Sequence, residues 1–261
     1  MKTILIIGIG AGDPEQITMQ AVNALNRVDV FFLLDKGVAK DPLVAFRQSL
    51  CERYITHRRY RFAHAPSPEL VIGTPDLQAT VAALNRDKQA VYESLIASEL
   101  APGECGAFLV WGDPTLYDST LRIVDAIALK GRTVAELALE YEVIPGISSV
   151  QALAARHRVP LNQIGEPVEI TTGRKIAGGF PEHADTVVVM LDANGEYQRI
   201  DRDDLEIFWG AYVGTPDEVL VAGKLKEVAP EIERIRTEAR ARNGWIMDSY
   251  LMRKVTRKDE G

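Results

Sequence analysis

A two-lobed α/β fold is predicted by three observations on this chain. The runs Ile4-Leu5-Ile6-Ile7, Val30-Phe31-Phe32-Leu33-Leu34 and Gly106-Ala107-Phe108-Leu109-Val110-Trp111 lack polar alternation, as strands buried on both faces of a parallel sheet do. Glycine-rich turns, Gly8 to Pro14, Gly112 to Pro114 and Pro145 to Ser149, follow three strand-like segments and lead into helical ones. After Pro160 the strands come with few helices between them, so 1–160 reads as a lobe with a parallel sheet and 161–261 as a lobe with a mixed sheet. The active site is expected in the cleft between two such lobes.

The elements follow in order. Asp13 is a good N-cap, Pro14 suits the first helical position and Gln16 completes a capping-box-like pair, so a helix is expected from Asp13 to about Arg27. Helices are also read over 42–54 and 77–100, separated by a Pro-rich loop from Ala65 to Pro75 whose length suggests function. Another helix runs from the Gly112-Asp113-Pro114 turn to about Lys130. Tyr141-Glu142-Val143-Ile144 is a short strand, after which Ser148 or Ser149 caps a helix to His157. In the second half 168–172, 186–191, 205–213 and 219–222 are strand-like, Gly214 to Asp217 is a turn, and a helix is expected from about Pro230 to Arg242. The basic stretch Arg253 to Lys258 reads as a solvated end.

Composition narrows the function. With 46% hydrophobic and 26% charged residues the chain can bury a sizeable core. No apolar run reaches the roughly 20 residues needed to span a bilayer, and the run Ile4 to Ile7 is too short for a secretory signal, so a cytoplasmic protein without membrane association is expected. A net charge of -7 argues against a nucleic-acid partner. Cys51, Cys105, His57, His64, His157 and His183 lack metal-ligand spacing, so no metal is expected and both thiols read as structural. Two local basic clusters, Arg58-Arg59-Tyr60-Arg61 and Arg174-Lys175, stand out as candidate clamps for an anionic substrate.

In an open parallel sheet the turns that follow the strands share one edge, so the three glycine turns can converge on one ligand. Gly8-Ile9-Gly10-Ala11-Gly12-Asp13 is not a dinucleotide fingerprint, because that motif needs glycine where Asp13 stands. A P-loop is absent as well. A nucleotide-binding regulator without catalysis remains a reading from a different class.

The ordered set Gly8-Ile9-Gly10-Ala11-Gly12-Asp13-Pro14 with Ile17-Thr18, Gly112-Asp113-Pro114 with Tyr117, and Pro145-Gly146-Ile147-Ser148-Ser149 resembles the motifs of the tetrapyrrole methylases. The resemblance continues through Thr186 to Met190, Val213 to Pro216 and Ala222 to Leu225, covering nearly the whole chain. Arg53-Tyr54-Ile55, the insertion between 55 and 77, and Trp209 to Glu218 point to the branch that methylates a precorrin in cobalamin synthesis and removes an acetyl group. Another precorrin C-methyltransferase, or a diphthine synthase-like enzyme, is the alternative within the family.

The resemblance implies folded S-adenosylmethionine as cofactor, S-adenosylhomocysteine as product, and a homodimer. Carried over by position, it implies cofactor contacts at Ile9, Gly10, Asp113, Leu116, Tyr117, Ser148, Ser149, Leu191 and Ala211. The precorrin carboxylates would meet Arg58, Arg59, Arg61, Arg174 and Lys175. Activating water for deacetylation needs a base, for which Asp13, Glu15 and Tyr117 are the candidates. Ala11 stands where the family commonly has proline, which puts the usual stiffness of the first loop in question.

Overall fold

The computed structural model describes residues 1–35, 41–56, 59–68 and 77–255. The chain parts into two compact units, Met1–Ser148 and Ser149–Gly261. The division falls before the helix that ends at His157, where the sequence placed it after that helix. The helix packs on the second unit's sheet: a Cβ at Gly210 would meet Leu153 Cδ1 at 2.7 Å, and His157 Nε2 lies 2.9 Å from the Trp209 carbonyl.

The first unit is built on β1 (Lys2–Gly8), β2 (Val30–Asp35), β3 (Arg61–Pro66), β4 (Cys105–Val110) and β5 (Leu139–Ile144). They form a parallel sheet in the order β3-β2-β4-β1-β5. Its helices are α1 (Met19–Leu25), α2 (Asp41–Tyr54), α3 (Leu77–Glu99) and α4 (Thr120–Lys130). Because successive strand residues point to opposite faces, Ile4, Ile6, Phe32, Phe108 and Val110 pack with Tyr92, Ile96, Ile123 and Ile127. Leu5, Ile7, Phe31, Ala107 and Leu109 face Ala21, Leu25, Leu50 and Cys51. Each fully buried aliphatic side chain of β1 contributes roughly 1.5–3 kcal/mol, which is why a continuous apolar run occupies an interior strand.

Two expectations change here. The predicted first helix is broken: Pro14–Gln16 is a single 3-10 turn capped by Asp13, and α1 starts afresh with Thr18 Oγ1 accepting from Ala21 N. Gln16 does not return to the Asp13 amide as a capping box would; its Oε1 accepts from Ala11 N at 3.2 Å. β3 was not foreseen and takes the start of the supposed loop from Ala65, while 69–76 lie outside the described residues.

The second unit contains α5 (Ser149–His157), β6 (Val168–Thr172), α6 (Gly173–Ile176), β7 (Thr186–Met190), β8 (Leu205–Ala211), β9 (Val219–Lys224), α7 (Leu225–Asn243) and β10 (Asp248–Lys254). Its sheet runs β6-β7-β10-β8-β9, with β6 and β7 parallel and the remaining neighbours antiparallel. The central strand, β10, was missed. Arg253, read as part of a solvated end, is buried in it, with Nε 3.3 Å from Thr186 Oγ1 and a second nitrogen donating to the Pro160 carbonyl. A cation with two internal acceptors can be buried where a bare one cannot; residues 256–258 lie outside the described residues. Helix α7 starts five residues before Pro230, because Leu225, Ile232, Arg236 and Ala239 form one buried helical stripe that outweighs the lost proline N–H.

Candidate functional site

The three glycine turns meet at the carboxyl edge of the first sheet, and backbone sterics require glycine there. A Cβ on Gly8 would lie 2.6 Å from Gly146 N and 2.9 Å from Gly112 O, and one on Gly146 would lie 2.2 Å from Gly112 O. Gly10, at φ +81°, accepts through its carbonyl from Gly112 N at 2.8 Å. Ile9 N donates to Val110 O at 2.9 Å, continuing the ladder into the turn. The Ala11 amide spends its proton on Gln16, a bond that proline could not make, so this loop gains by a hydrogen bond what it lacks in ring stiffness.

Asp113 clasps two of these turns. Its Oδ1 accepts from the Thr115 amide at 2.8 Å and from the Thr115 hydroxyl, and its Oδ2 accepts from Gly146 N at 2.9 Å. Partial burial works against its charge, yet the Thr115 hydroxyl and the Gly146 and Thr115 amides together hold the carboxyl below its ordinary pKa. Both oxygens are therefore engaged within the chain, and Asp113 shapes the loops before it can serve any ligand.

The structure brings Ile9, Gly10 and Asp113 into this crossing, with Leu116 and Tyr117 on the same turn as Asp113 and Ser148 two residues beyond Gly146. Ile9 and Ser148 are buried, while Tyr117 is exposed and sits at φ +51°. Ser149 opens α5. In the second unit Leu191 is 66% exposed at φ +55°, so its side chain packs no core there. A left-handed backbone costs an L-residue about 1–2 kcal/mol, so Tyr117 and Leu191 are held open against a steric preference. Ala211, by contrast, is buried in the second unit's core.

The acid–base candidates are differently engaged. Asp13 Oδ1 accepts from Glu15 N at 2.8 Å, and Glu15 Oε1 pairs with Arg53 at 2.9 Å. Tyr117 stands on another turn. The predicted clamps separate as well: Arg61 opens β3 at the amino edge of the sheet, opposite the glycine turns, where its guanidinium holds Glu104 through two contacts of 2.9 Å. Arg59 is exposed just ahead of the same strand start, and Arg58 lies outside the described residues. Arg174 and Lys175 belong to the second unit. They are exposed on α6 beside the turn after β7, since a Cβ on Gly173 would meet Asp192 Oδ1 at 2.5 Å.

The sequence reading passed over Asp192. Its carboxylate accepts from Asn194 N (3.2 Å), Gly195 N (3.0 Å), Glu196 N (2.8 Å) and Tyr250 Oη (2.7 Å), building the turn that follows Leu191. Asp-Ala-Asn-Gly after an apolar strand was the available signal, a turn made by an Asp side chain capping the amides ahead of it. Among the described residues no three His, Cys, Asp or Glu side chains gather as a metal site. Burial pushes the Cys51 thiol up to about 12, so it stays protonated at neutral pH. Among the described residues no helix is long and apolar enough to cross a membrane.

Comparison with known proteins gives a consistent result. The family model described as Tetrapyrrole (Corrin/Porphyrin) Methylases matches residues 3–229. A precorrin-6A synthase [deacetylating] from Sinorhizobium sp is 47% identical over 260 residues, covering 100% of this chain and 98% of that protein. A crystal structure of a cobalamin synthesis related protein (CobF) from Corynebacterium diphtheriae is 34% identical with a TM-score of 0.79, over 98% of this chain and 100% of that one. A uroporphyrin-III C-methyl transferase from Thermus thermophilus, solved in complex with S-adenyl homocysteine, shares the fold at 19% identity and a TM-score of 0.53, over 97% and 98% of the two chains.

Proposed function

The chain belongs to the tetrapyrrole (corrin/porphyrin) methylases, and on that premise we propose that it is the C-methyltransferase of cobalamin synthesis that converts precorrin-5 to precorrin-6A. It methylates C-1 and releases acetate. The observation that carries this reading is the 47% identity to the Sinorhizobium precorrin-6A synthase across the full length of both chains. S-adenosylmethionine, when bound, supplies an electrophilic methyl group on a sulfonium. The ring carbon contributes the electron pair of the new carbon–carbon bond, and the breaking S–CH3 bond leaves its pair on sulfur. Water then adds to the acetyl carbonyl, the bond from that carbon to the ring breaks with its pair going to the methylated ring, and acetate departs while both protons of the water pass to solvent.

The residues present suit such a cofactor. Backbone crossings at Gly8, Gly112 and Gly146 let three loops lie together without side chains between them, and Tyr117 offers an exposed aromatic ring on the same loops. Orientation by stiff loops is the main service a methyltransferase needs, since alignment alone removes roughly 7–11 kcal/mol of a bimolecular barrier. Leu191 offers apolar surface in the second unit, and Arg174 and Lys175 offer positive charge to precorrin carboxylates. Tyr117 is the acid–base candidate that shares its turn with Asp113, at the crossing of the three loops, and its hydroxyl would orient the attacking water. We extend the reading to a homodimer working in the cytoplasm without nucleic-acid partners; light scattering at 28.8 kDa would reject the dimer.

The test incubates the protein with precorrin-5 and S-adenosylmethionine labelled at its methyl group, following acetate by NMR and product by mass. One labelled methyl per acetate released is expected. Methylated product that keeps its acetyl group would move the chain to another precorrin methylase. Tyr117→Phe is expected to slow acetate release more than methyl transfer, and equal slowing would remove Tyr117 from the deacetylation step.

A further inference from the structure

Two cations stand toward the carboxyl edge of the first sheet, whereas Arg61 stands at its amino edge. Arg47 of α2 reaches the end of β4, its Nε 2.9 Å from the Leu109 carbonyl and its Nη1 2.8 Å from the Leu43 carbonyl. Its Nη2 meets no acceptor among the described residues, and no carboxylate among them lies within ion-pair distance. Lys88 of α3 makes neither a hydrogen bond nor an ion pair with any described residue. It precedes by one helical turn Tyr92, whose ring stacks on Phe108 of β4 at 4.1 Å. Both cations feel the same carboxylate, Asp118, which is committed to capping Thr120 N at 2.7 Å. Trp111, directly after β4, packs its ring 5.2 Å from Phe46, the neighbour of Arg47, and its buried Nε1 also finds no acceptor.

Largely buried cations that share, among the described residues, one already engaged carboxylate are under-compensated. Burial lowers both the Arg47 guanidinium and the Lys88 ammonium, and the attraction of Asp118 does not make up the difference. Such a pair is stabilised by any anion that reaches it, and donors left without acceptors favour one with several oxygens. The placement is telling. Arg47 bonds a carbonyl two residues before Trp111, and Asp118 follows the Asp113 to Tyr117 turn, so the pair stands beside the proposed cofactor loops rather than at the amino edge with Arg61.

We infer that Arg47 and Lys88 form a carboxylate-binding pair that holds acidic side chains of the tetrapyrrole substrate, the role the sequence gave to Arg58 through Arg61. This rests on the proposed methyltransferase reading for the substrate class, while the placement of the two cations rests on the Arg47 bonds at the end of β4 and on the packing of Tyr92, one turn after Lys88, against Phe108. Lys88 is the cleaner probe, because Arg47 also ties down two backbone carbonyls. With the intact enzyme, Lys88→Gln is expected to raise KM for precorrin-5 about tenfold, the loss of one charge-assisted hydrogen bond, with KM for S-adenosylmethionine and kcat little changed. Lys88→Arg should restore most of the loss.

A second arm titrates wild type and both variants with uroporphyrin III, a stable tetrapyrrole bearing acetate and propionate groups, by fluorescence quenching. Wild type is expected to bind, and Lys88→Gln to bind about tenfold more weakly. If precorrin-5 is not turned over but uroporphyrin binding still depends on Lys88, the assigned reaction fails and the pair stands. Unchanged KM and unchanged uroporphyrin affinity in Lys88→Gln would overturn the pair, as would a wild type that binds no uroporphyrin.

Discussion

The two units hold their strand-end loops by opposite means. In the first, Gly8, Gly112 and Gly146 let backbone lie directly on backbone, and one carboxylate, Asp113, clasps the result. In the second, the loops after β7 and around β10 hang on a buried ionic network. Arg236 Nε donates to Asp248 Oδ2 at 2.7 Å, another of its nitrogens donates to the Asp192 carbonyl, and Trp209 Nε1 reaches the same Asp248 oxygen at 3.1 Å. Tyr250 donates to Asp192, and burial together with that carboxylate pushes its phenol far above the usual range. Burial also raises the Asp248 carboxyl despite its Arg236 partner. The contrast teaches that a steric crossing fails when an atom is added, whereas a buried charge network fails when a partner is taken away.

Removing a partner should give the larger effect. Arg236→Met leaves the Asp248 carboxylate buried and unpaired, at an expected cost of about 3–5 kcal/mol in urea unfolding. The double variant Arg236→Met with Asp248→Leu should recover part of it, since an uncompensated charge costs more than a missing pair. A loss under about 1 kcal/mol for the single variant would break the comparison on the second unit's side.

Adding an atom comes next. Gly146→Ala puts a Cβ 2.2 Å from a backbone oxygen that has no side-chain freedom to yield. The expected cost is roughly 1–3 kcal/mol, with S-adenosylmethionine binding lost in calorimetry because the loops shift. Gly178→Ala, where the nearest atom would be 3.5 Å away, is the control and should leave the melting temperature nearly unmoved.

The clasp can be read by pH. Asp113 has a lowered folded pKa, so its stabilisation is complete above the unfolded value near 3.9 and is lost as pH falls through the folded one. Asp113→Asn should therefore cost about 1 kcal/mol at neutral pH, with the gap to wild type closing below about pH 4. A gap that persisted at pH 2 would mean that the carboxylate's charge is not what matters.

The smallest effect belongs to Arg61→Ala. The Arg61 guanidinium and the Ala101 amide hold Glu104 at about 2, but the pair is largely open to water, so the loss should stay below about 1 kcal/mol. KM for the tetrapyrrole should not move. A raised KM would restore Arg61 as a clamp and blur the contrast between the two edges of the first sheet.

Much of this molecule was legible in its sequence because the deciding forces act between near neighbours. Ile4 to Ile7 could only be an interior strand, and the glycines after it could only mark backbone in close quarters, since period and sterics are settled within a few residues. The break at Ile17-Thr18 was harder, because Asp13 and Thr18 are both good caps and local preference does not choose between one helix start and two. What the tertiary structure decided was pairing at a distance. That Arg253 lies in the central strand of a sheet, that Arg236 meets Asp248 and Asp192, that Arg61 stands at the amino edge of the first sheet while Arg47 reaches its carboxyl edge, all follow from strand order. A charge is silent in sequence: it is solvated, paired or left waiting for a ligand according to which strand and which edge the fold sets beside it, and no local rule carries that information.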